Sequence, residues 1–597
     1  MSACAGGPTA DSVTNSCEQS GFSSRSSTIV HDGTHLWLTS PDDNQLVQLD
    51  PETLEPTLRL ETIDGPAQLA SAGNWLVATA TWDTRIALWD RASGTQTLVA
   101  TPCGGTGAVV ALDPAGDSFA IACPNDRLVI RLDSASGEID ERRELVTFRP
   151  TSLLSRDCEL LATEATGPTL HRWAMAEPER AEAGAWVSPL PSEAFELPAR
   201  ALRPESAVSL VGALTGGAEG VTAVATRVDH DGPRDRPVET GTYGSVVDGD
   251  PRIEPLVLGE CGGTYARFDG GENVFSGPVD ALHTEAGLWV LNQWTRNLVL
   301  LDCETPDQGN AGRVRARADV GAGARGLATD PTGSAVWVDV GFDHAVARLE
   351  PTGGEWRATT VRRSVSGQRL STAAQQGRRH FFDATDSHLT PSGIVACATC
   401  HPDGRDDGLT WFLHTSTVQR KVRRTPPVAG GDGALRPLHW DGEFATATEL
   451  TTSTIRGLMG GDALVIDAST IAAWMRELPL PPARPLSDEE RSRADAGRLL
   501  FSSPEAGCAG CHSGIAFTDG ELHTGVLEPS SDPDARLDSS VTPSLRGVRA
   551  RAPYFHDGRA VTLSDAVREH RNAQGDRYGD LLTADDIQSL TLYLETL

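Results

Sequence analysis

Lysine is almost missing from this chain: of 51 basic residues, only Lys421 is a lysine. Set against 82 acidic residues, the arginines leave a formal net charge of −31. A surface so acidic argues against nucleic acid, or an anionic membrane surface, as a partner. Long apolar runs are missing as well. No stretch of about 20 apolar residues occurs, so no transmembrane helix is expected. Cysteine is sparse, with 11 in 597 residues, too few to act as the framework of a disulfide scaffold of this length. A chain this long holds several domains, each with a core of its own.

Four of those cysteines are spaced for one chemistry. "SGIVACATCHPDG" holds Cys397, Cys400 and His401 as CxxCH, and "EAGCAGCHSG" repeats the pattern with Cys508, Cys511 and His512. Random placement gives one such motif on the order of once in two hundred chains of this composition. CxxC can also supply half of a zinc site, but in both places the histidine follows the second cysteine directly. That is the arrangement for covalent haem c: two thiols add across the haem vinyl groups and the adjacent imidazole reaches the iron. Two covalently bound haem c groups are therefore expected, with His401 and His512 as iron ligands.

The other cysteines are Cys4, Cys17, Cys103, Cys123, Cys158, Cys261 and Cys303. Haem c is attached outside the cytoplasm, where disulfides also form, so pairs such as Cys103 with Cys123 and Cys261 with Cys303 are plausible. A periplasmic or extracellular protein is the expectation. A signal peptide is expected for such export but is not seen in this sequence, and the opening "MSACAGG" resembles the end of a lipoprotein cleavage site, as in a trimmed chain. Cys4 is then either a lipid-anchored residue or an ordinary loop cysteine.

The first 360 or so residues carry short apolar strands separated by Asp, Gly and Asn turns. "HLWLTSPDDNQLVQLDPETLE" from His35, "WLVATATWDTRIALWDRASGTQ" from Trp75 and "SFAIACPNDRLVIRLDSASGE" from Ser118 each read strand, turn, strand, Asp, turn. Weaker copies follow from Glu159, Leu288 and Ala335. A spacing of roughly forty residues is that of a propeller blade, and a β-propeller of about seven blades is expected. It resembles the YVTN-type repeat propellers of exported bacterial proteins. Trp37, Trp89, Trp289 and Trp337 fall on strands, where core packing is the ordinary role of an aromatic.

Beyond Arg362 the periodicity turns helical. "STAAQQGRRHFFDA" from Ser371 precedes the first CxxCH, and "EERSRADAGRLLFSS" from Glu489 precedes the second. Each unit closes on a similar helix, "DASTIAAWMRELP" from Asp467 and "TADDIQSLTLYLETL" from Thr583, the latter with a capping box of Thr583 and Asp586. "LPLPPARP" from Leu478 is a proline-stiffened linker. The expected plan is multidomain: an N-terminal tail over 1–30, an all-β propeller over 31–360, and two tandem all-α cytochrome c domains over 361–482 and 483–597. "RKVRR", Arg420 to Arg424, is the densest basic run, read either as a solvated turn or as partners for haem propionates.

"TPSLRGVRARAPYFHDGRAVTLSDAV" from Thr542, "RTPPVAG" from Arg424 and "HWDGEFATATEL" from His439 resemble the signatures of bacterial di-haem cytochrome c peroxidases and the related MauG-type enzymes. The resemblance covers about residues 370–597 and says nothing of the propeller. It implies that Trp440 lies between the haems and passes electrons, that His570 is the distal ligand of the second haem with Tyr578 in reserve, and that His414 lies near the distal side of the first. The family's distal glutamate falls where Leu458 stands, with Glu449 as a substitute; its calcium-binding asparagine is Arg424 here, whose guanidinium can replace the cation's charge and leaves calcium open. The implied chemistry is reduction of hydrogen peroxide at the first haem, with general acid–base help. The second oxidising equivalent is relayed through Trp440 to the second haem, and a small redox protein supplies electrons. A MauG-type oxidation of side chains on a partner protein docked by the propeller is the alternative. A di-haem electron-transfer or binding cytochrome without peroxide turnover is the other.

Overall fold

The computed structural model describes residues 22–144, 149–156, 159–164, 169–175, 187–189, 193–194, 207–216, 221–229, 246–247, 250–251, 253–259, 263–264, 274–302, 313–330, 332–352, 355–362, 369–413, 420–430, 437–572 and 574–597. Up to Arg362 these are antiparallel strands, and from Thr372 onward the elements are mainly helices. The central strands of the blades are buried along nearly their whole length, as Leu36–Ser40 and Val336–Val340 are, and the aspartate that ends the third strand of a blade folds back on its own turn. Asp50 accepts the N–H groups of Glu52 and Thr53 at 3.0 and 2.8 Å. Asp133 accepts that of Ser136 at 2.8 Å. Such Asx turns are why the Asp-rich punctuation reads so clearly in the sequence.

The innermost strands touch one another in turn around a closed ring: Ile29–His31, Pro66–Ala72, Val109–Ala111, Pro150–Arg156, Ala207–Gly216, Pro278–Thr284 and Ala324–Thr329, which returns to the first. This is a β-propeller, and the expectation of about seven blades is corrected. Six are regular four-stranded blades among the described residues. The remaining sheet in the ring has six strands, because Ser23–Arg25 adds inside Pro150–Arg156 while Val187–Pro189 and Glu193–Ala194 both pair with Thr169–Met175. Trp37, Trp289 and Trp337 are buried in the blade cores, and Trp89 packs beside Trp37 at a ring distance of 6.1 Å. Cys103 and Cys123 form a disulfide, as expected. Cys4, Cys17, Cys158 and the Cys261–Cys303 pair lie outside the described residues.

The C-terminal part contains α1 (Thr372–Phe381), α2 (Ala447–Thr454), α3 (Ala468–Glu477), α4 (Asp488–Phe501), α5 (Leu563–Glu569), α6 (Tyr578–Leu581) and α7 (Ala584–Glu595). It is not all helical: Thr410–Leu413 pairs with Lys421–Arg424, and Leu522–Thr524 with Ser539–Val541. Ser371, Ser487 and Thr583 cap α1, α4 and α7, and the Thr583–Asp586 capping box is present. In each module the first helix crosses the last at a glycine. A Cβ on Gly377 would stand 1.9 Å from the Thr470 carbonyl oxygen of α3, and one on Gly497 would stand 2.0 Å from that of Ser589 in α7. Only a hydrogen at that position allows such a crossing, and its recurrence marks the two modules as copies. No helix among the described residues is long and apolar enough to cross a membrane.

The helical part rests on one face of the propeller, the face formed by the turns between second and third strands. Asp42 pairs with Arg378 at 2.7 Å, Arg296 with Asp383 at 2.5 Å, and Asp343 with Arg379.

Candidate functional site

Both CxxCH motifs are built alike. The first cysteine opens a 3-10 turn, Cys397–Thr399 or Cys508–Gly510, and the histidine N–H closes on that cysteine's carbonyl at 3.1 Å for His401 and 2.9 Å for His512. The turn carries both thiols and the imidazole on one short loop. Each ring then donates its Nδ1–H to a backbone carbonyl 3.1 Å away, Arg405 for His401 and Phe517 for His512. That bond sets the tautomer and leaves Nε2 with a free lone pair, the state in which imidazole binds a metal. Burial keeps both rings neutral, lowering the pKa of His401 and taking that of His512 down to about 4. Burial raises the Cys397 thiol to about 12.

A cavity of about 570 Å³ runs across both modules and is lined by both motifs, Trp440, His570 and Tyr578. His570 follows α5, with Nδ1 at 2.8 Å from the Arg571 carbonyl, and its ring centroid is 6.3 Å from that of His512. Two imidazoles on opposite sides of one metal, each with a bond of about 2 Å, hold their centroids roughly 6 Å apart. The space between these rings therefore fits a single iron, and the residues suit a haem c. Tyr578 is 5.9 Å from the His570 ring, but its hydroxyl donates to the Ala506 carbonyl, and burial raises its pKa.

Trp440 stands between the modules. Its indole N–H donates to the Arg424 carbonyl at 2.9 Å, its own carbonyl accepts from the Val541 N–H at 2.9 Å, and its ring meets His556 edge-on at 6.3 Å. His556 is 1% exposed, donates from Nε2 to the Ala535 carbonyl at 2.8 Å, and accepts the Arg424 N–H on its backbone oxygen. Sequence reasoning passed over His556. The signal was present, since "FHDG" at Phe555–Gly558 copies "HWDG" at His439–Gly442.

The basic run leads into a strand, Lys421–Arg424, that buries Val422 and Arg424, rather than a solvated turn. Arg424 is 2% exposed, and its guanidinium pairs with Asp406 at 2.7 Å and donates to the Arg551 carbonyl at 2.6 Å, tying the modules together. Its Nε–H, in the cavity wall, has no protein acceptor. Arg551 also lines the cavity, its pKa lowered to about 10 by burial. The orphaned Arg424 donor suits a haem propionate. Calcium does not fit. Arg424 supplies the positive charge where the family's asparagine would be, and the His439, Asp441 and Glu443 donor set already holds the Lys421 ammonium, at 3.4 Å from Asp441 and 2.6 Å from Glu443.

Two expected residues are not brought to the site. Glu449 is exposed and does not line the cavity; its carboxylate accepts the Thr446 N–H at 3.2 Å in the capping box of α2. His414 lies outside the described residues. The wall that α2 presents to the cavity is instead Leu450, Thr451, Thr454 and, beyond the helix, Leu458.

A propeller joined to a tandem pair of cytochrome c-like modules sharing one cavity is the class that the fold and site define. No family model matches the chain. The methylamine utilization protein MauG of Methylorubrum extorquens is 31% identical over 276 residues, 37% of this chain and 76% of that protein. The cytochrome c551 peroxidase of Nitrosomonas europaea is 26% identical over 274 residues, covering 38% and 79%. The chain belongs, through its C-terminal part, to the MauG and di-haem cytochrome c peroxidase family. Membership implies haem c at the two motifs. Among solved structures, Kuenenia stuttgartiensis hydrazine synthase aligns at a TM-score of 0.41 and 13% identity over 57% of this chain and 95% of that one.

Proposed function

We propose that the protein is an exported di-haem oxidoreductase that reduces hydrogen peroxide at the first module and draws the second oxidising equivalent from the second module through Trp440. The observation that carries this reading is the shared cavity, with both CxxCH histidines in its wall and Trp440 between the modules. When bound, the haems supply an iron that cleaves peroxide and a second iron that gives up an electron. The chain's own residues do the rest. His401 and His512 hold the proximal positions through fixed tautomers. His570 would hold the second haem together with His512, leaving the first to take peroxide. Trp440 is locked by hydrogen bonds to both modules, which keeps its ring in a fixed position for electron passage. The Cys103–Cys123 disulfide supports an oxidising compartment.

The docking alternative is less favoured for one face of the propeller, because the turns between second and third strands already hold the helical modules. Trp440→Phe tests the main reading. It should keep both haems, since a smaller apolar ring keeps most of the packing, while peroxide-driven oxidation falls steeply. A packing role predicts a loss of about 1–3 kcal/mol in stability with near-normal turnover. Melting temperature and turnover, measured on one preparation, separate the two, and a destabilised but fully active variant would remove Trp440 from the mechanism.

A further inference from the structure

The two modules repeat one loop and helix in register. Leu438 bridges Phe444 as Tyr554 bridges Ala560. His439 and Phe555 share positive φ of 68° and 69°, and Gly442 and Gly558 share 69° and 68°. Thr446 with Glu449, and Thr562 with Asp565, form the same capping box at the starts of α2 and α5. Counted on from those caps, Thr451 corresponds to Val567 and Thr454 to His570, and all four line the cavity.

Where the second module turns an imidazole toward His512, the first therefore offers a threonine. A threonine hydroxyl lies two bonds from Cα and an imidazole Nε2 lies four, so Thr454 falls short of an iron that His570 can reach from the matching position. Thr454 makes no side-chain cap bond to the π-turn that follows it, Ile455–Met459. The backbones part at this point. After α5, His570 leaves in an extended conformation at φ −63° and ψ 146°, whereas after α2 the chain winds on through the π-turn, a feature common at functional sites.

We infer that Thr454 defines the open face of the first haem, leaving the sixth position to a small ligand such as water, peroxide or cyanide and donating its hydroxyl to that ligand. This rests on the reading that haem occupies both motifs. It goes further in assigning to one residue pair, Thr454 and His570, the choice of which haem is open.

The test uses the full-length haem-loaded protein and two substitutions, with cyanide as the probe. Oxidised wild type should show one high-spin and one low-spin haem and bind one cyanide tightly. Thr454→His should convert the high-spin signal to low-spin and abolish cyanide binding. Thr454→Val should keep the high-spin signal while cyanide affinity falls about 2–10-fold, the worth of one hydrogen bond. A wild type that is wholly low-spin, or a folded Thr454→His that keeps the high-spin signal and binds cyanide normally, overturns the inference. Should Thr454→His not fold, unchanged cyanide affinity in Thr454→Val does so. Peroxide turnover is not the readout, so an open first haem without turnover would sustain the inference and end the peroxidase reading.

Discussion

His570 owes its position to the end of α5. The helix stops at Glu569, the next residue turns extended, and the Arg571 carbonyl holds Nδ1 so that Nε2 points away. A second imidazole on the iron favours the ferric state and a low-spin configuration. His570→Ala should therefore convert the low-spin haem to high-spin and raise its potential, as read by electron paramagnetic resonance and a redox titration. An unchanged spectrum would move the role elsewhere, with Tyr578 the nearest alternative despite its bond to Ala506. At this scale the sequence was most legible where chemistry demands a fixed spacing, as in the CxxCH motifs, whereas His570 was reached only through the family resemblance. It was least legible where a side chain has a local task to do. Glu449 looked available as a proton carrier, but a glutamate three residues past a threonine cap is held by the helix start it completes. Arg424 looked like part of a surface run, because the acid it pairs with, Asp406, belongs to another loop.

Among the helices, the caps and the glycine crossings follow from local rules, and every cap proposed at Thr583 and Asp586 is present. The two hairpins inside the modules were not foreseen, since strands of three or four residues carry too little alternation to stand out from loops. The start of α4 illustrates how a local motif becomes a pH-dependent one. Glu490 completes the capping box with Ser487 and accepts from Arg484 at 2.8 Å, which in turn binds Glu595 at the end of α7. The Arg484 guanidinium is the chief cause holding the Glu490 carboxyl down at about 2. A carboxylate depressed in the folded state contributes stability that is fully present above its unfolded pKa, near 4.3, and is lost as pH falls through the folded value. Glu490→Gln should accordingly lower stability near neutral pH and flatten its fall between about 4.3 and 2, in denaturant melts at a series of pH values. An acid limb identical to wild type would show that the cap does not titrate in the folding equilibrium.

For the whole molecule, the propeller bears on the haem region through one corner in particular. The turn after Cys123 places Asn125 against Arg405 of the first module at 2.6 Å, Asp126 against Arg549 of the second, and Arg127 against the Val561 carbonyl at 3.2 Å. The Cys103–Cys123 disulfide braces that turn, and Asp126 also accepts the Gly104 N–H at 2.8 Å. Asp126→Ala should loosen the seam between the modules, so that the Arg424 and Val541 amides that cross it exchange hydrogen faster. Asp42→Ala, which frees only Arg378 of the first module, should leave those amides unchanged, and equal effects of the two would argue against a special role for this corner. The contacts from this turn to the helical modules were not legible in the sequence, because they join residues hundreds of positions apart; nor was the six-stranded sheet, whose first strand, Ser23–Arg25, pairs with Pro150–Arg156. The repeat texture of the blades was legible because each is written within about forty residues, and the tandem haem units because the CxxCH motif and its flanking helices recur. The most direct measurement of the central claim, that two haem sites share oxidising equivalents through Trp440, is the low-spin resonance signal of the second haem after one equivalent of peroxide is added to the oxidised protein. The expected result is that this signal disappears rapidly in wild type, although on the proposed mechanism His570 keeps peroxide from that haem, and persists in Trp440→Phe. A wild-type low-spin signal untouched by peroxide would contradict the claim.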